Sequence, residues 1–182
     1  MERLKLNEES LKRAAEVLNS GGVVIFPTET VYGIGALITK EEAVKRIYEI
    51  KKRPPDKPLQ VLIADPKQAE FMAQEISKKA RELMESFWPG PLTLIFKAAS
   101  GKSVGIRMPK HDWLLKLIKK TGPLAASSAN LSGEIDPVSA GEVKIEADLM
   151  IDGGKCKLGE ASTVIDVSVD PPLILREGQI KI

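Results

Sequence analysis

Apolar residues along this chain switch repeatedly between two spacings, and that switching limits the fold more than any other feature. Leu11, Ala14, Ala15 and Leu18 recur at the i, i+3, i+4, i+7 steps of one helix face, with Asn7 ahead of them and Gly21-Gly22 behind. Val23 to Phe26 is then an unbroken apolar run of strand length. The pattern repeats. Thr39 with Glu42, Asp65-Pro66 with Gln68, and Ser139 with Glu142 have the spacing of capping boxes that open helices. Ala80, Leu83, Met84 and Phe87 form another helical stripe, cut off by Trp88-Pro89-Gly90-Pro91. Short apolar runs lie between: Leu59 to Ile63, Leu92 to Phe96, Val104 to Ile106, Leu124 to Ala126 and Leu149 to Ile151. Near the C-terminus "STVIDVSVDPPLILREG" alternates apolar and polar residues on both sides of Asp170-Pro171-Pro172, which predicts two strands joined by a turn. The fold class is therefore α/β with a mixed sheet.

A length of 182 residues fits one well-buried core, so a single domain over 1–182 is expected. Charged residues make up 29% and hydrophobic ones 43%, the balance of a soluble globular protein. No apolar run approaches the roughly 18 residues of a membrane span, and Met1 to Asn7 lacks a signal-peptide pattern, so a cytoplasmic location is expected. The only cysteine, Cys156, has no internal disulfide partner, and with the only histidine, His111, it cannot build a multi-ligand zinc site. His111 precedes Asp112 at a predicted helix start and reads as a cap, which leaves a Ser/His/Asp triad without its imidazole.

Two nucleotide motifs fail on inspection. "FKAASGKS" ends like a phosphate loop, but Phe96 occupies the leading glycine position and a strand is expected to follow. "GIGALI" has Ile38 where a dinucleotide fingerprint needs its third glycine. What remains is a set of basic residues at strand ends and turns: Lys51, Lys52, Arg53 and Lys57 in "KKRPPDKPL", Arg107 in "GIRMP" and Arg176 in "LREG". The formal charge is only +2, so anion binding requires such local clustering. Arginine forks match carboxylate and phosphate oxygens; solvated surface charge is the better account of any one of these residues alone, but not of the three Arg/Pro/Gly turns together. Ser127, Ser128 and Asn130 follow one strand and Ser162 with Thr163 opens another, where ligands of α/β sheets gather and where turns also use Ser and Asn. Asp152-Gly153-Gly154 reads as a strand-ending turn.

"GGVVIFPTETVYGIGA", "KKRPPDKPL", "WPGPLTLIF", "IRMP" with His111, "AASSANLSG", "IDGG", "STVID" and "LREG", in this order and spacing, resemble the YrdC-like domain of threonylcarbamoyl-AMP synthases. The resemblance runs from Leu11 to Gly178 and suggests the short, single-domain form, since nothing remains after Ile182 for a further domain. It implies a YrdC-like twisted mixed sheet flanked by helices around a basic concave cavity. It also implies an enzyme that joins L-threonine, bicarbonate and ATP into threonylcarbamoyl-adenylate with release of pyrophosphate. A partner transferase would then carry the threonylcarbamoyl group to adenosine 37 of tRNA, and tRNA or double-stranded RNA binding is a possible accompaniment.

Carried over to this chain, the resemblance makes Lys51 and Arg53 the catalytic Lys-x-Arg pair. Thr30, Tyr32, Arg107 and Ser162 become the threonine site, and Arg53, Lys57, Ser103, Ser128, Asn130, Asp136 and Arg176 the ATP site. Three departures stand out: Leu62 where some members have histidine, Ser127 for a proline that would stiffen its loop, and Glu177, a carboxylate expected to weaken Arg176's pull on phosphate. No carboxylate cage is visible, so the implied Mg²⁺ would ride on the triphosphate and water, with no protein metal site. Such chemistry needs positioning and charge neutralisation more than a covalent nucleophile. Two other readings share the fold: an RNA-binding paralogue without synthase activity, and a carbamoyl-transfer module of a larger maturation protein. Glu29, inside "FPTETVYG", is left to orient Lys51 or Arg53 or to face water.

Overall fold

A computed structural model describes residues 1–181; Ile182, the last residue of the expected domain, lies outside them. In chain order the elements are β1 (Glu2–Lys5), α1 (Glu8–Asn19), β2 (Val24–Phe26), β3 (Gly33–Leu37), α2 (Glu41–Lys51) and β4 (Gln60–Leu62). Then come α3 (Lys67–Met72), α4 (Lys78–Phe87), β5 (Leu92–Lys97), β6 (Ser103–Arg107), α5 (Asp112–Thr121) and β7 (Leu124–Ser128). A single 3-10 turn (Ala140–Glu142) precedes β8 (Leu149–Asp152), β9 (Thr163–Asp166) and β10 (Leu173–Arg176). All the described strands join one sheet in the order β1-β8-β2-β3-β7-β4-β6-β5-β9-β10. The β1–β8, β8–β2, β4–β6 and β5–β9 pairs are parallel and the others antiparallel, so the sheet is mixed.

Helix α1 forms where its capping predicts. Asn7 Oδ1 accepts from the Ser10 amide at 2.8 Å while Ser10 Oγ accepts from the Asn7 amide at 3.0 Å, a reciprocal box that satisfies two donors. Its apolar face, Leu11, Ala14 and Leu18, packs with Trp113, Leu114 and Leu117 of α5 over Phe26, Leu124 and Leu149. Each such leucine contributes about 1.5–3 kcal/mol by leaving water. Ala43 and Ile47 of α2 cover Ile25, Ile34 and Met150 in a second cluster. A third joins α3 and α4 to Leu94, Phe96, Ile106 and Ile165.

Two predicted helix starts differ. Helix α2 begins one residue later than a Thr39 box requires, with Lys40 as its cap and no side-chain cap bond, and Glu42 pairs with Lys45 at 2.7 Å instead. Ser139 donates to the Glu142 carboxylate at 2.8 Å rather than capping a backbone amide, and the helix stops after one turn. Strands β1 and β3 were not anticipated: Gly33 and Gly35 lower the strand propensity of β3, and β1 is short and charged.

Candidate active site

One face of the sheet, with its strand ends and adjoining turns, borders a hollow of about 270 Å³ lined by Arg53, Arg107 and Arg176, by Thr30, Thr93, Ser127, Ser128 and Ser162, and by Gln60 and Asp136. Among its described lining residues Asp136 is the only carboxylate, so the hollow is basic. Asp136 also borders a second cavity of about 600 Å³ that reaches Asn130 and Lys144. A small inner pocket of about 20 Å³, room for a single water, adjoins Thr28, Thr30, Tyr32, Leu62 and Arg107.

The closed end is built from the turn between β2 and β3. Thr28 Oγ1 donates to Val31 O at 2.7 Å and accepts from the Thr30 and Val31 amides, a threonine turn that fixes "TET" against the sheet. Because Thr28 spends its proton there, Thr30 is the donor in their 2.8 Å hydroxyl contact. Thr30 Oγ1 also accepts from Arg107 Nη2 at 3.0 Å, which leaves it one lone pair for a ligand N–H. Arg107 ends β6, and its Nε donates to Gly90 O at 3.2 Å. Gly90 is itself fixed by the close turn after α4: a Cβ there would lie 2.3 Å from Phe87 O.

Arg107 is only 3% exposed, and neutral acceptors alone would leave its charge uncompensated. Glu29 supplies the balance, its Oε1 at 2.7 Å from Arg107 Nη2, rather than orienting Lys51 or Arg53 or facing water. The contact lies off the N–H directions, and neither Glu29 oxygen has a hydrogen-bond partner. It is a charge contact, with the fork itself turned to Thr30 and Gly90. His111 caps α5 through Nδ1, which accepts from the Leu114 amide at 3.4 Å. Burial pulls its pKa below the ordinary value, against the opposing pull of Glu29 and Asp112, so the cap is a neutral imidazole.

The open end begins where α2 stops. Lys52 adopts a left-handed conformation (φ 48°), with its amide bonded to Glu49 O and the Arg53 amide to Tyr48 O. This Schellman ending turns Lys51 inward and releases Arg53 toward the hollow. Arg53 is tied by Nε to Lys57 O at 2.8 Å and by Nη2 to Pro58 O at 2.9 Å, so it stiffens the "KRPPDKPL" loop. Lys51, 1% exposed, donates to Ser128 O at 2.5 Å, Asn130 O at 2.6 Å and Asn130 Oδ1 at 3.3 Å. Burial and then Arg53 pull its pKa down to about 8, against Asp136, while its three acceptors favour the ammonium. Lys51 thus anchors the 128–130 loop from behind. Asn130 is held in turn by donation from Nδ2 to Glu134 O at 2.6 Å.

On the far wall Arg176 donates to Ser162 O at 3.0 Å and to Ser162 Oγ at 3.1 Å. Ser162 Oγ meets Thr93 Oγ1 at 2.8 Å, and Thr93 donates to Gln60 Oε1 at 3.0 Å. Burial lowers the Arg176 pKa from its ordinary value, Arg107 adds to this, and Asp136 opposes it. Arg176 therefore faces the hollow with a charge that an anion would relieve.

Of the predicted residues, Thr30, Arg53, Arg107, Ser128, Asp136, Ser162 and Arg176 share the hollow. Asn130 lies on the neighbouring cavity, and Lys51 lies behind its loop. Tyr32 touches only the inner pocket; its hydroxyl donates to Gly154 O at 2.8 Å and accepts from the Gly153 amide at 3.1 Å. Lys57 and Ser103 are exposed and outside the lining. Leu62 is buried against the inner pocket, and Ser127 lies within β7 paired to Ile34, so it loosens no loop. Glu177 pairs with Lys181 at 3.6 Å and leaves Arg176 alone. Gln60 and Thr93 were missed, and their signal was a polar residue inside each apolar strand run, "LQVLI" and "PLTLIF".

A mixed sheet carrying arginines and hydroxyls around a basic hollow defines a small α/β protein with, among the described residues, no cluster of metal ligands. The chain belongs to the Sua5/YciO/YrdC family, whose model, described as "Telomere recombination", matches residues 16–178. It is 45% identical over 97% of its length to the threonylcarbamoyl-AMP synthase of Pyrococcus abyssi and 43% identical over 98% to that of Bacillus subtilis. The chain spans about half the length of these curated relatives, 56% of each. The structure of P. abyssi Sua5 complexed with L-threonine superposes with a TM-score of 0.89 at 44% identity, covering 97% of this chain and 56% of that one.

Proposed function

We propose that this chain is an L-threonylcarbamoyladenylate synthase, a nucleotidyltransferase acting in the cytoplasm on L-threonine, bicarbonate and ATP. The observation that carries the reading is one hollow with two chemically different ends. The Thr30–Arg107 pair closes one end, and Arg53, Ser128 and Arg176 rim the rest. The P. abyssi relative complexed with L-threonine has the same fold at 44% identity.

Arg107 would hold the threonine carboxylate or the carbamate, and Thr30 would accept from the amino nitrogen. The amine adds to bicarbonate with loss of water; a carbamate oxygen then attacks the α-phosphorus of ATP, and pyrophosphate leaves in line. Arg53 and Arg176 would neutralise phosphate charge, and Lys51 would keep Ser128 and Asn130 in position for the nucleotide. Mg²⁺ would supply further charge neutralisation on the phosphates. The donor set fits an ion carried by triphosphate and water, since Asp136 is the only described carboxylate lining the hollow. A transferase partner would then use the adenylate to modify tRNA. No helix among the described residues is long and apolar enough to cross a membrane.

The test is mass spectrometry of the product made with ¹³C-bicarbonate. A threonine-dependent adenylate carrying one ¹³C is expected, and an adenylate formed without threonine would overturn the reading.

A further inference from the structure

The hydrogen-bonded chain across the far wall has a direction. Arginine only donates, so Ser162 Oγ accepts from Arg176 and can pass its own proton to Thr93, which in turn donates to Gln60 Oε1 at 3.0 Å. Gln60 Oε1 is thus the amide atom turned toward Thr93. Its Nε2, with two N–H groups, has no acceptor among the described residues and belongs to a side chain that lines both the hollow and the inner pocket.

The backbone register explains how Gln60 gets there. Gln60 is paired directly with Gly105 on one side and Ala126 on the other, so its face of the sheet carries almost no neighbouring bulk. Gly105 leaves a gap across β6: a Cβ there would lie 3.2 Å from Ile95 Cδ1 and 3.5 Å from Thr93 Cγ2. Through that gap Gln60 on β4 reaches Thr93 on β5, a strand to which β4 is not paired.

The geometry points to Gln60 as a substrate-binding residue that donates from Nε2 to an oxygen of the amino-acid half of the substrate, its carboxylate or the carbamate formed on it. The inference rests on the synthase reading. Its basis is that Gln60 joins Thr30 and Arg107 at the inner pocket, to which Arg53 and Arg176 do not contribute. Gln60 thus helps hold the acid group in place, and the nucleotide half is left to the other arginines.

Two variants separate this from a purely structural role. Gln60→Glu keeps an acceptor for Thr93 but replaces the outward donor by an anionic oxygen. Gln60→Leu removes both ends at similar size. Titration calorimetry with L-threonine should show Gln60→Glu weakened by about tenfold or more and Gln60→Leu weakened in the same direction. ATP affinity within about twofold of wild type reports an intact fold and hollow. Threonine affinity of Gln60→Glu equal to wild type, with Gln60→Leu alone impaired, would overturn the inference and leave Gln60 as a brace for Thr93. A wild-type protein that binds ATP but no threonine would instead overturn the synthase reading, and this assignment with it.

Discussion

The two ends of the hollow are held by different kinds of bond. At the closed end Arg107, Thr30, Thr28 and Glu29 meet side chain to side chain, all buried, so no member can move without leaving another unpaired. At the open end Arg53 is half-buried and tied only to backbone carbonyls of its own loop, and Ser128 is positioned through its carbonyl by Lys51. The closed end trades stability for a fixed donor set, whereas the open end keeps its charged groups replaceable. Damage to the first should therefore cost folding and small-molecule binding together, and damage to the second should cost ligand binding alone.

The sharpest break of this contrast is Arg107→Ala, which strands the buried Glu29 carboxylate without its cation. A loss of roughly 3–5 kcal/mol in urea denaturation is expected, and adding Glu29→Gln should recover part of it. Arg53→Ala comes next: ATP affinity should fall about tenfold while stability changes by less than about 1 kcal/mol, measured by calorimetry and denaturation on the same sample. Thr30→Val, which keeps the shape and removes the hydroxyl, should weaken threonine binding by about 1–2 kcal/mol and leave ATP affinity near wild type. Equal effects of Thr30→Val on both ligands would erase the distinction between the ends.

The smallest effect is a pH dependence from Lys51. Its pKa is near 8 when folded against an ordinary 10.5, so between these values the unfolded chain binds more protons and this group makes stability rise with pH. Over the same range the ammonium that gathers Ser128 O and Asn130 is lost, so ATP affinity should fall as stability rises. Denaturation and ATP titration at pH 7.5 and pH 9.5, about half a unit below and a unit and a half above that value, should move in opposite directions.

Much of the hollow was legible from residue types at strand ends. Arg107, Ser162 and Arg176 stand next to apolar runs that could only be strands, and turns rich in proline and glycine placed them at the sheet's rim. What pairing decides was not legible. The partner of Glu29 depends on where β6 ends beside the turn after β2, and Gln60 acquires a role only because Gly105 is its register mate. Lys51 read as one more cation in a basic run. Its burial follows from a left-handed Lys52, a conformation that sequence seldom announces outside glycine and asparagine.

The central claim, that one hollow joins an amino-acid end to a nucleotide end, is tested most directly by pyrophosphate release from ATP and bicarbonate with and without L-threonine. Release that depends on threonine and is lost in both Arg107→Lys and Arg53→Ala is the expected result. Release at the same rate without threonine would contradict it.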